Sequence, residues 1–413
     1  MIVRLGDIAT FINGGSWSDK EYSETGVPVV KVTNLKNGTV DLSEVNYISE
    51  SSLDKYGKHL LQKGDLVIAT VGSHPNLIAS AAGRATIIPA FAEGMLLNQN
   101  ALCIRSNHKD LDQGYLGYLG KSELFQGYIK SLGRGAANQV RIALGLIKEF
   151  SFEIPSINTQ HKIASILSAY DDLIENNGKR IKLLEEKARL LYIELIQDVS
   201  YSKNKNEDYI KNCLAFYIGG GWGEEEYKEG FTLPAYVIRG TDIPNTKKGE
   251  LSDLPFRYHK ESNLASRKLQ TGDIVFEVSG GSKGQPVGRC VIITEKALQE
   301  LNSPVICASF CKLMRANDTI TPEFLYLYLR HAHENGIIAR YEKHSASNIV
   351  NFGFEEFIGE QKIIIPTGYQ LRDFTQSVRP IFNLISTLGT QNTRLRQARD
   401  ILLPRLMNGE ISV

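Results

Sequence analysis

Several residue sets in this chain have types that could do chemistry, and their spacing decides against each. Gly280-Gly281-Ser282-Lys283-Gly284 carries the glycines of a phosphate loop. Its lysine precedes the last glycine and no helix clearly opens after it, so it is not a nucleotide-binding GxxxxGK[ST] loop. His331-Ala332-His333 is too closely spaced for a helical zinc pair. No HExxH occurs. Cys103, Cys213, Cys290, Cys307 and Cys311 form no CxxC and have no histidine partners at zinc spacing. Asp65 and Asp273 follow glycines at strand starts, where an aspartate usually bonds its own turn. Asp171-Asp172 lies in a heptad-patterned stretch and reads as a solvated helix face. The expectation is no catalytic residue, no metal site and no intrinsic enzyme.

The elements that must position such residues come from a globular chain. Of 413 residues, 42% are apolar and 23% charged. No run of 18 apolar residues exists and Met1 to Ser16 lacks a signal-peptide core, so no membrane span or secretion is expected. Five unpatterned cysteines fit a reducing cytoplasm. Lys+Arg number 47 and Asp+Glu 46, a balance that on its face argues against a nucleic-acid binder. By segment the net charge is 0 for residues 1–155, +1 for 156–205, −3 for 206–366 and +3 for 367–413. No strongly cationic half is hidden in the total.

The chain repeats itself. Leu61-Gln62-Lys63-Gly64-Asp65-Leu66-Val67 returns as Leu269-Gln270-Thr271-Gly272-Asp273-Ile274-Val275. Ile12-Asn13-Gly14-Gly15-Ser16-Trp17 resembles Ile218-Gly219-Gly220-Gly221-Trp222, and Val29 to Leu35 resembles Val237 to Ile243. Gly83-Arg84 answers Gly288-Arg289, and Ile154-Pro155 answers Ile365-Pro366. Five matches in one order make a duplication. Each half reads as short strands bounded by Gly, Pro and Asn, interrupted by helices and closed by a long helix.

Those helices carry the sharpest pattern. Ile163, Leu167, Tyr170, Ile174, Asn177, Ile181, Leu184, Ala188, Leu191 and Leu195 alternate four and three apart. Phe374, Val378, Ile381, Ile385, Leu388, Asn392, Leu395, Arg399, Leu402 and Leu406 do the same. This is a heptad seam. One asparagine per seam suits a buried polar residue that sets register. An antiparallel pairing with Asn177 facing Asn392 puts Leu167 opposite Leu402, Leu184 opposite Ile385, and Tyr170 opposite Arg399. The alternative is that each stripe packs on its own globular part.

A duplicated chain whose halves each end in Pro and a long heptad helix resembles the specificity subunit of type I restriction-modification systems. The carrying segments are Ile154-Pro155-Ser156-Ile157-Asn158-Thr159-Gln160-His161-Lys162-Ile163-Ala164 and the ending Leu402-Leu403-Pro404-Arg405-Leu406-Met407-Asn408-Gly409-Glu410-Ile411, with Leu5-Gly6-Asp7-Ile8 at the start. The resemblance implies a mixed α/β (α+β) fold of two similar target-recognition domains joined by two antiparallel coiled-coil helices. It places target-recognition domain 1 at 1–155, spacer helix 1 and linker at 156–205, target-recognition domain 2 at 206–366 and spacer helix 2 at 367–413. It implies that each domain reads one half of a bipartite, asymmetric site in double-stranded DNA. Two methyltransferase (modification) subunits dock on the helices, and restriction/translocase subunits join the full complex. S-adenosylmethionine, ATP and Mg2+ belong to those partners, and the chain itself holds no cofactor. Half-sites are expected about one helical turn apart centre to centre. The second half departs from the pattern, since Pro366-Thr367-Gly368-Tyr369-Gln370 is one residue shorter than its counterpart. Competing readings are a two-domain protein–protein scaffold and the specificity subunit of a methyltransferase-only system.

Phosphate contacts need Lys, Arg, hydroxyls or free amides, and base edges favour Arg, Lys, Asn and Gln. In the first half these criteria select Lys31, Asn34, Ser73, His74, Arg84, Arg134, Asn138 and Gln139. In the second they select Arg239, Thr241, Ser282, Lys283, Arg289, Lys343, Ser345, Ser347 and Asn348. Structural salt bridges are an equal reading for Arg84 and Arg289. Trp17 and Trp222 read as packing residues.

Overall fold

The structure is a computed structural model that describes residues 1–36, 38–72, 82–132, 140–201, 206–280, 286–344 and 350–413. Its contacts divide into two compact units, Met1–Asp172 with Gln397–Val413, and Leu173–Arg396. The division falls inside the two long helices, Ile157–Ser200 and Gly368–Met407, so each unit holds one α/β fold and a piece of each helix.

The same sheet is built twice. In the first unit the antiparallel order is Ala85–Ile87, Leu66–Ala69, Ala101–Ser106, Ala9–Asn13. In the second it is Cys290–Ile292, Ile274–Glu277, Cys311–Ala316, Leu214–Gly219. Central strands such as Leu66-Val67-Ile68-Ala69 are buried on both faces, which explains their continuous apolar runs. A second small sheet also recurs. Leu96–Leu97 lies parallel to Val27–Val30, which pairs antiparallel with Asn46–Ile48. Val305–Cys307 lies parallel to Leu233–Ile238, which pairs antiparallel with Phe256–His259. A terminal ribbon closes each fold, Ile2–Arg4 with Ser151–Glu153 and Asn206–Tyr209 with Lys362–Ile365.

The repeated glycine pair has a packing cause. A Cβ on Gly14 would stand 1.9 Å from the Asn98 carbonyl oxygen, and one on Gly220 would stand 2.2 Å from that of Ala308. Gly15 and Gly221 donate their amides to Leu97 and Cys307. The backbone must cross there without a side chain.

Local signals start the long helices. Ser156 Oγ accepts from the Thr159 amide, and Thr367 exchanges bonds with Gln370 in a capping box. No helix among the described residues is long and apolar enough to cross a membrane.

Each heptad stripe serves two surfaces. In the first unit Ile163, Leu167, Leu402 and Leu406 share a core with Leu66, Tyr115 and Phe125 of the α/β fold. In the second, Ile181, Leu184, Ala188, Val378, Ile385 and Leu388 share one with Phe276, Phe324 and Phe357. The stripes therefore pair with each other and pack on the globular parts, combining the two alternatives the spacing left open.

Candidate nucleic-acid interface

In each unit one short strand pair ends where two of the expected DNA-contacting segments begin. Val71–Gly72 pairs with Val140–Arg141, and the chain continues from them into 73–81 and back from 133–139. Ser279–Gly280 pairs with Val350–Asn351, flanking 281–285 and 345–349. Segments 60 to 70 residues apart in sequence thus share a root in both folds. Ser73, His74, Arg134, Asn138, Gln139, Ser282, Lys283, Ser345, Ser347 and Asn348 lie outside the described residues.

Backbone hydrogen bonds tie this root to the second small sheet. In the first unit the Asn98 amide bonds Val30, Thr70 bonds the Asn100 carbonyl, and the Ile142 amide bonds Thr70. In the second, Ala308 bonds Ile238, Val278 bonds Phe310, and Phe352 bonds Val278. The turns after Val30 and Ile238, which carry Lys31 and Arg239, therefore belong to the same edge as the loop roots. Sequence reasoning missed part of this edge. Asn98-Gln99-Asn100 puts three side-chain amides on it, with Gln99 exposed, and Ser309-Phe310 takes the equivalent place with Phe310 63% exposed. The unbroken amide run between two apolar strands was the available signal.

The described candidates divide by their partners. Lys31 stays partly exposed, its Nζ 2.8 Å from Asn46 Oδ1 and 4.7 Å from the Tyr22 ring centre. Thr241 is exposed. Asn34 is a correction. It is buried, its Oδ1 accepts from the Lys31 amide, and its Nδ2 donates to the Asp41 and Glu44 carbonyls. All its polar capacity goes to shaping the turn, so none faces a groove. Asp242 does the same job in the second fold and also takes the Arg239 guanidinium, 2.7 Å from Oδ1. Lys343 pairs with Glu356 at 2.6 Å and is exposed. Arg84 donates to the Leu35 carbonyl. Arg289 forms the salt bridge that was its equal reading. Its Nε and one terminal nitrogen hold both oxygens of Glu277, a carboxylate only 2% exposed. A bidentate buried pair of this kind is structural.

The glycine–aspartate turns are buried ion-pair sites in both folds. Asp65 accepts from the Gln62 amide at 2.8 Å and from Arg105 Nε at 2.6 Å. Asp273 accepts from the Gln270 amide at 2.7 Å and from Arg315 Nε at 2.7 Å. Both carboxylates are nearly inaccessible. The turn-bonding expectation accounts for the amides, whereas the arginines, some 40 residues away, were visible only as a second repeat match. Trp17 packs edge-on against Tyr56, and Arg257 lies over Trp222 at 4.7 Å.

On the helices, Asn177 Nδ2 donates to Asn392 Oδ1 at 3.0 Å, both side chains buried, and Asn392 Nδ2 reaches the Ile174 carbonyl at 3.4 Å. In the first unit Arg399 bonds Asp171 and Asp400, not the ring of Tyr170 that the seam register offered it. Asp171 also accepts from the Tyr118 hydroxyl at 2.7 Å. It is thus a partnered carboxylate and not the freely solvated one its neighbours suggested. Burial raises the Tyr118 hydroxyl and lowers the nearby Lys121 ammonium. All five cysteines are free and buried, and burial pushes Cys213 up to about 11 and Cys290 up to about 12, so neither supplies thiolate at neutral pH. No group of three or more His, Cys, Asp or Glu stands ready for a metal among the described residues.

Comparison with known proteins shows what the chain resembles. Residues 1–186 match the family model described as the type I restriction modification DNA specificity domain. The type I restriction enzyme MjaIX specificity subunit of Methanocaldococcus jannaschii is 24% identical over 454 aligned positions, covering 100% of this chain and 93% of that one. The MjaVIII specificity subunit of the same organism is 25% identical over 205, covering 50% of this chain and 47% of the relative, so that match spans about half of each. A solved type I restriction-modification S subunit from M. genitalium has the same fold, with a TM-score of 0.58 at 15% identity over 98% of this chain and 95% of that one.

Proposed function

From the premise that this chain carries a type I restriction modification DNA specificity domain, we propose that it is the sequence-recognition subunit of a type I restriction-modification complex. Each α/β fold reads one half of a bipartite DNA site. The observation that carries this reading is the twice-built edge, where a strand pair flanking two separated segments and a turn bearing Lys31 or Arg239 share one hydrogen-bonded frame. Such an edge suits direct readout, because base edges are read by side chains held in fixed register by backbone contacts.

The chain itself does no chemistry in this reading. Methylation, with S-adenosylmethionine, and cleavage, with ATP and Mg2+, reside in partner subunits in the cytoplasm. Two methyltransferase subunits dock on the helices. Outward apolar residues such as Leu183, 71% exposed, and Leu190, 51% exposed, support a partner there. The paired asparagines favour one register of the helices, which suits a spacer between half-sites.

Near-zero charge sharpens the account. Nonspecific DNA affinity comes largely from phosphate neutralisation. A net charge of +1 leaves this chain little of it, so its partners supply much of that attraction. The test is a band-shift of a DNA library with the full chain alone and with co-expressed methyltransferase subunits. Weak, salt-sensitive binding alone and firm binding in the complex are expected. No DNA retention in either state would sink the reading and favour the protein scaffold.

A further inference from the structure

The two folds differ beneath the reading edge at one matched position. The Ala69 amide bonds the Arg84 carbonyl at 3.0 Å, and the Glu277 amide bonds the Arg289 carbonyl at 2.9 Å, so Ala69 and Glu277 occupy the same place. Ala69 is wholly buried and apolar. Glu277 is equally hidden but charged, with Arg289 on both its oxygens. A buried carboxylate is costly unless its geometry is well satisfied, so its presence in only one fold calls for a local reason.

The surroundings of Glu277 give that reason. A Cβ on Gly240 would stand 2.4 Å from Glu277 Oε1, and one on Gly280 would stand 3.3 Å from it. Gly240 opens the turn after Arg239, and Gly280 ends the strand that leads into 281–285. The carboxylate thus lies close to the turn and to the strand end that leads into 281–285, and pairs with Arg289 just before strand Cys290–Ile292. Glycine at 240 is what lets the turn approach so closely.

Resting on the reading that each fold recognises a half-site, we propose that Glu277 is a positioning residue for the second one. Its carboxylate, clamped by Arg289, holds the Arg239–Asp242 turn and the 281–285 root in the spacing that base recognition requires. The first fold sets the same edge with a backbone contact, Arg84 to the Leu35 carbonyl, and an alanine. Glu277 touches no DNA. It acts through the elements it spaces.

The experiment uses the full chain assembled with its methyltransferase subunits. Methylation rates are compared on duplexes carrying the correct site and on duplexes with one base changed in either half. Glu277→Gln keeps the side chain's size and removes its charge, and Arg289→Lys is the second variant should the first fail to assemble. The expected result is at least about a tenfold loss of discrimination in one half-site, with the other half unchanged. A purely structural role lowers every rate in proportion and leaves both ratios intact. That outcome, or equal relaxation of both halves, overturns the proposal. A wild-type complex with no bipartite site overturns the functional reading itself, and the positioning role with it.

Discussion

The buried frame of the two α/β folds is nearly the same, while the edge above it is not. Asp65 with Arg105 and Asp273 with Arg315 agree atom for atom, the four-stranded sheets share one strand order, and the glycine crossings recur. On the edge, Lys31 with Asn46 stands against Arg239 with Asp242, and Asn98-Gln99-Asn100 against Ala308 to Phe310, and just beneath it the buried Ala69 stands against Glu277. Burial tolerates few solutions, so a duplicated core keeps its ion pairs and crossings. Under the proposed function, an edge that meets different base sequences gains from differing.

The largest effect should come from breaking the shared frame. Arg105→Ala leaves Asp65 buried without its cation and should cost about 3–5 kcal/mol. Arg315→Ala should cost a similar amount in the second unit. Chemical denaturation of each variant reads this, and a loss below about 1 kcal/mol in either would break the equivalence of the two turns.

Next comes the seam. Asn177→Ala strands the buried amide of Asn392 and should cost about 1–3 kcal/mol. Replacing both asparagines with leucine should recover most of that loss while weakening the preference for one register. Denaturation midpoints give the first result, and cross-linking of engineered cysteine pairs along the helices gives the second.

The expected DNA-contacting residues should behave differently from the frame. Arg134→Ala or Asn138→Ala should weaken recognition of one half-site by about 1–3 kcal/mol and leave the other alone. Competition binding with half-site variants checks this, and equal losses at both halves would contradict the division of labour.

The smallest difference concerns acid. Burial holds His259 and His333, both in the second unit, below the usual histidine value. The unfolded chain then binds protons more readily than the folded one, so the contribution is present above the ordinary histidine range and is lost as pH falls through it. Hydrogen exchange at pH 7 and pH 5 should show the second unit loosening more than the first.

What was legible in the sequence followed from periodicity. The heptad seam, the place of each asparagine and the order of the repeats all depend on spacing, which a sequence displays. The fates of Asn34 and Arg289 depend on what lies across the fold. Asn34 has the right chemistry for a base edge, yet three backbone groups consume it. Arg289 has a cation's reach, yet its guanidinium is paired with both oxygens of the buried Glu277. Asp65 was readable as a turn residue from its glycine, but its arginine came from a neighbouring strand. Asn98 to Asn100 escaped notice because the repeat gives that run no matching partner, only Ala308 to Phe310.

The central claim, two reading folds in one chain, is tested most directly by sequencing DNA retained from a random library by the chain assembled with its methyltransferase subunits. Two reading folds on a fixed spacer should yield an asymmetric site with two specified halves separated by an unspecified spacer of constant length. A single continuous motif, or two halves with freely varying separation, would contradict it.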